Sequence, residues 1–147
     1  MDLKTTLQAD LKDAMRHGEE TRKTTLRMAL SAIKMAEIDR RTQLDEAAML
    51  AVIQKEIKSR RESIDDAQRA NRPELISQAE EEIKILQGYL PAALSPEELE
   101  ILARAAISEV GATTIREMGQ VMKVLMPRIL GRATGDQASQ TVRRLLQ

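Results

Sequence analysis

Apolar residues recur along most of the chain at three- and four-residue steps, and no useful stretch alternates apolar with polar, so the predicted elements are helices. Leu3, Leu7, Leu11 and Met15 predict a short first helix closed by Gly18 as its C′ residue. A second helix, from about Glu20 to Asp39, has Leu26, Ala29, Leu30, Ile33 and Ala36 inward and Arg22, Lys23, Arg27 and Lys34 outward. Asp45 is placed to cap a third and longest helix, to about Ala70, with Met49, Val52, Ile53, Ile57, Ile64 and Ala67 as its buried line and a length of roughly 35 Å. Asn71-Arg72-Pro73 breaks that pattern, and Pro73 suits position N1 of a fourth helix carrying Leu75, Ile76, Ala79, Ile83, Leu86 and Leu90. So short a connection predicts an antiparallel hairpin of the third and fourth helices.

Pro91 disfavours helical geometry at Leu90, so the chain is expected to divide there, into an N-terminal helical subdomain over 1–90 and a small three-helix subdomain over 91–147. Ser95-Pro96-Glu97-Glu98 spells a capping box for a fifth helix with Leu99, Leu102, Ala103, Ala106 and Val110, ending at Gly111. Thr113 or Thr114 is placed to cap a sixth helix through Met118, Val121, Met122, Leu125 and Ile129, with Pro127 expected to kink or end it. Gly131 and Gly135 bracket Arg132 in a tight turn, and Asp136 is expected to cap a seventh helix with Ala138, Val142 and Leu145 inward. The fold class is therefore all-α.

Composition supports this reading. The chain has 147 residues, with no Phe, Trp or Cys and a single Tyr, so Leu, Ile, Ala and Met must fill the core. Without cysteine there is no disulfide, thiolate nucleophile or zinc-thiolate site; together with the lack of a signal-like apolar run, this predicts a cytoplasmic protein with no membrane span. In a chain so poor in aromatics, Met28, Met35, Met49, Met118, Met122 and Met126 read as core filling, with an adaptable partner surface as the alternative.

Charge sums to zero but is segregated. From Gly111 onward six basic residues face two acidic ones, whereas Gly88–Val110 holds one basic and four acidic residues. Lys55, Lys58, Arg60 and Arg61 alternate with Glu56, Glu62 and Asp65 and read as a salt-bridged solvent face. Lys123, Arg128 and Arg132 are not interleaved with acids and lie around a glycine turn whose amides can approach a phosphate, so they are the candidate nucleic-acid contacts. Catalytic parts are not visible: His17 stands alone at a helix end, and no phosphate-binding glycine loop, nucleophile elbow or metal-ligand spacing occurs. Nothing in the residues calls for a cofactor.

Six fragments, Leu26-Arg27-Met28, Gln54-Lys55-Glu56-Ile57-Lys58, Tyr89-Leu90-Pro91, Glu109-Val110-Gly111-Ala112, Gly119-Gln120-Val121-Met122-Lys123 and Gly131-Arg132-Ala133, together resemble the YqeY family. Its members are stand-alone relatives of the tail domain of the tRNA-dependent amidotransferase B subunit. The resemblance implies an all-helical fold and a tRNA-binding accessory role in systems whose carbon-nitrogen ligase chemistry, with glutamine as amido-N-donor, resides in other domains. It places the family motif on Gly119, Gln120, Lys123, Gly131 and Arg132, to which Arg128 is added on charge. The other expectation is a protein-interaction adaptor that docks its Met-rich C-terminal helices on an aminoacyl-tRNA synthetase or amidotransferase component.

Overall fold

The computed structural model describes residues 2–147, and among these every regular element is helical. The order is α1 (Leu3–Arg16), α2 (Glu20–Arg40), α3 (Glu46–Arg69), α4 (Pro73–Gln87), α5 (Pro96–Val110), a 3-10 turn (Ile115–Glu117), α6 (Met118–Ile129) and α7 (Gly135–Leu146). Two compact units result, Met1–Leu90 and Pro91–Gln147.

Local chemistry sets most boundaries of the first unit. Asp2 and Asp45 accept hydrogen bonds from the amides of Thr5 and Ala48, at 2.7 and 2.8 Å, which opens α1 and α3. His17 caps the end of α1, and Gly18 follows with φ +66°. Asn71, at φ 54°, turns the chain between α3 and α4, and Pro73 occupies the first turn of α4. The core is built from Leu3, Leu7, Leu26, Ile33, Ile53, Ile57 and Leu86, with α3 and α4 packed as the expected hairpin.

Several expected inward residues are not buried. Each four-residue step along a helix drifts by about 40°, so the series Leu3, Leu7, Leu11, Met15 rotates out of the core. Met15 is 44% exposed, while Ala14, about 20° from Leu3, is fully buried in its place. Leu75 lies on the same face as Ala79 and Ile83 yet is 48% exposed, because periodicity fixes an angle and not what stands opposite.

The largest correction concerns α3. Arg60, expected on a solvent face, is only 6% exposed. Its Nε donates to Glu82 of α4 at 2.9 Å and its Nη1 to Glu56 at 2.8 Å, and its Nη2 lies 3.6 Å from the sulfur of Met28. Two carboxylates from two helices converge on one buried guanidinium, which makes its burial tolerable.

In the second unit α5, α6 and α7 each pack on the other two. Ala103, Ala106, Ala133 and Ala138 are buried together with Leu99, Val121, Leu125, Ile129, Val142 and Leu146 in one core. Ser95 and Glu98 form the expected capping box of α5. The cap of α7 is Thr134, not Asp136: the Thr134 hydroxyl accepts from the amide of Gln137, whose side chain accepts from the Thr134 amide in return. Pro127 does not end α6, which runs two residues further. It removes one i→i−4 donor, the one that would reach the Lys123 carbonyl.

Candidate nucleic-acid interface

α6 is strongly two-sided. Val121, Leu125 and Ile129 are buried, whereas Gly119, Gln120, Lys123 and Pro127 are exposed. At about 100° per residue these four fall within about 100° of one another, directly opposite the buried line. No acid occurs in α6, and among the described residues Lys123 has no carboxylate within ion-pair distance. Arg116, in the 3-10 turn just before α6, is likewise exposed and without an ion pair among the described residues.

The acid closest to this face in sequence is already engaged. Thr114 opens the 3-10 turn, and the carboxylate of Glu117 accepts from the amides of Thr113 and Thr114 at 3.1 and 3.3 Å. The Thr113 amide, ahead of the other contacts, holds this carboxyl below the usual glutamate range. The result is a fixed helix start whose outer face carries cations with no acid among them.

Gly119 has an unusual position. It is exposed, lies in the first turn of α6 and does not use a positive φ. A Cβ added there would meet nothing within 4 Å. Neither backbone conformation nor packing within the chain calls for glycine at this place.

The other three candidates are built differently. Arg128 lies five residues beyond Lys123, about 140° around the helix, and its Nη2 donates to Glu109 of α5 at 2.6 Å. Gly131 is buried at φ +74°, a left-handed conformation that favours glycine. The turn amides expected to face a phosphate instead serve the helix end: those of Arg132 and Ala133 donate to the carbonyl of Ile129 at 2.8 and 3.0 Å. Arg132 Nε donates to the Ala92 carbonyl at 3.0 Å, and the Arg132 carbonyl accepts from the Leu94 amide at 2.9 Å. The six candidate residues therefore form two groups, an open face of Gly119, Gln120 and Lys123, and a bracing group of Arg128, Gly131 and Arg132. A helical wheel separates Lys123 from Arg128; the pairing of Arg128 with Glu109 required the fold.

Base stacking has no platform in the second unit, which contains no aromatic residue. Tyr89 belongs to the first unit, where it is half-buried and its hydroxyl donates to the carboxylate of Asp10. Burial, followed by that carboxylate, pushes the phenol above its ordinary pKa.

A family model described as Yqey-like protein matches residues 4–146. The chain belongs to this family. Among curated relatives, proteins named "Altered inheritance of mitochondria protein 41, mitochondrial" are similar to it. The one from Vanderwaltozyma polyspora is 39% identical over 97 residues, covering 64% of this chain and 52% of the relative. The one from Eremothecium gossypii is 38% identical over 110 residues, covering 73% and 60%. The one from Pyrenophora tritici-repentis is 31% identical over 134 residues, covering 89% and 73%. The chain thus spans little more than half the length of the first two. These names point to mitochondria and overturn the cytoplasmic expectation. A lack of cysteine fits any reducing compartment and does not tell one from another. No helix among the described residues is long and apolar enough to cross a membrane.

Proposed function

We propose that this Yqey-like chain is a tRNA-binding accessory module, with the exposed, acid-free face of α6 as its RNA contact. That face is the single observation that carries the reading. Lys123 supplies a point charge for a phosphate, and the Gln120 amide can donate to a phosphate or accept from a ribose 2′-hydroxyl. Gly119 lets the RNA backbone approach the helix closely. With no aromatic residue in the unit, recognition is by backbone and shape. Arg116 extends the face beyond the residues of the family motif. Arg128, Gly131 and Arg132 hold α6 and its exit turn in place, and the arginines' remaining N–H groups are available to flanking phosphates. Chemistry on the bound RNA belongs to a partner, an amidotransferase component or an aminoacyl-tRNA synthetase.

Titrating labelled tRNA at two salt concentrations tests this. Each lost phosphate contact should lower the slope of log affinity against log salt by a little under 1, roughly 0.7–0.9. Lys123→Ala should show that decrease, and Lys123→Ala with Arg116→Ala about twice as much. Affinity that ignores salt, or is unchanged in both variants, refutes the proposal.

A further inference from the structure

The methionines divide in an unexpected way. Met118, Met122 and Met126, read as core filling with a partner surface as the alternative, are partly buried against the core of their own unit. Met28 and Met35, expected in the core, are instead 49% and 62% exposed on α2, and Ile38 beyond them is 63% exposed. The inner face of α2 is fully accounted for, since Thr25, Leu26, Ala29 and Ile33 are buried. The sulfur of Met28 reaches inward to Arg60 Nη2 at 3.6 Å, but the exposure of Met35 and Ile38 has no such explanation among the described residues.

Its spacing is informative. Met28, Ser31, Met35 and Ile38 stand at i, i+3, i+7 and i+10, which are successive a and d positions of a heptad. Arg27 and Lys34 fall at the flanking g positions of the same two heptads. Both lack an ion pair among the described residues, and Asp39, at the e position beside Ile38, places one exposed acid on the other edge of the same face. The sulfur of Met15, 44% exposed on α1, lies 3.5 Å from Arg27 Nη2 and extends the apolar patch past that cation.

We propose that the outer face of α2 docks an acidic amphipathic helix of a partner protein. The heptad spacing asks for a helix, whose side chains insert between those of Met28, Met35 and Ile38. Flexible thioethers adapt to such an insertion. The two unpaired cations ask for glutamates or aspartates along the partner's edge. An RNA backbone would leave the apolar line unused, and a lipid surface has no need of heptad register. This surface lies in the first unit and is independent of the α6 reading.

The test uses the full chain and two synthetic helical peptides of about three heptads, with Leu at a and d and either Glu or Lys at every e and g position. Like charges keep each peptide from pairing with itself. Isothermal titration should show saturable binding of the Glu peptide and at least tenfold weaker binding of the Lys peptide. Met35→Ser with Ile38→Ser should weaken Glu-peptide binding at least tenfold, and Arg27→Glu with Lys34→Glu should shift preference to the Lys peptide. All four positions are exposed, so melting curves should stay unchanged. Absence of saturable binding, or equal binding of both peptides, overturns the proposal. So does binding to vesicles of phosphatidylserine and phosphatidylcholine in place of the peptide, or a dimer in sedimentation that Met35→Ser with Ile38→Ser dissolves.

Discussion

Replacing Gly119 with alanine separates folding from binding. Gly119 is helical and exposed, and the new methyl group meets no atom within 4 Å. Alanine exceeds glycine by about 0.8–1.0 kcal/mol in a helix interior, and the reduced freedom of the unfolded chain accounts for much of that. In a first turn, where hydrogen bonding is incomplete, a gain of roughly 0.5 kcal/mol is the reasonable expectation. For a unit the size of residues 91–147 this raises the melting temperature by about 2–4 °C. If RNA approaches the helix backbone here, the same methyl group intrudes on it, and a loss of about 1.4 kcal/mol weakens tRNA binding tenfold. Circular-dichroism melting and tRNA titration on one preparation give both readings. A lower melting temperature would show that Gly119 has a folding role the packing does not account for. A higher one with unchanged tRNA affinity would remove close backbone approach from the mechanism.

Gly131→Ala, just beyond the end of α6, should behave oppositely. A left-handed φ of +74° in a buried turn predicts a loss of about 1–2 kcal/mol, read from urea midpoints. Arg60→Ala leaves Glu56 and Glu82 facing each other without their cation and should cost about 2–4 kcal/mol, toward the lower end because both carboxylates keep some solvent contact. Adding Glu82→Gln to that variant should restore part of the loss. Glu117 is ionised in its cap with a folded pKa below its unfolded value of 4.5, so its stabilisation is complete above that value and disappears as pH falls through the folded pKa. Glu117→Gln should therefore flatten the dependence of melting temperature on pH below about 4.5 and lower the melting temperature at neutral pH, where the ionised carboxylate stabilises the cap. A wild-type acid slope that survives the substitution would refute that assignment.

Residues that act through near neighbours were legible without coordinates. Asp45, Pro73 and the Ser95-Glu98 pair each announce a helix start because a cap involves only a few consecutive residues. The all-helical class follows from the same local periodicity. Legibility fails where the deciding partner is distant in sequence. Glu82 is 22 residues from Arg60, and nothing in the alternating charges around Arg60 distinguishes a buried guanidinium from a solvated one. Met28 and Met35 failed for a related reason. A helix that is apolar on two faces reads as one broad seam, and only packing shows which face is covered.

The candidate site illustrates both cases. Lys123, Arg128 and Arg132 form a cluster when counted along the chain, and the absence of nearby acids made them one group. Helical geometry alone turns Lys123 away from Arg128, and the fold then brings Glu109, 19 residues from Arg128, within 2.6 Å of it. A cation already holding an intramolecular carboxylate gains less from a phosphate, because the first interaction must be shared or broken. Lys123 and Arg116 carry no such debt among the described residues. Exposed charge, an unexplained glycine and an acid already held by a cap converge on the 3-10 turn and the first two turns of α6. The tRNA reading therefore rests there, with the Gly131–Arg132 turn as its brace.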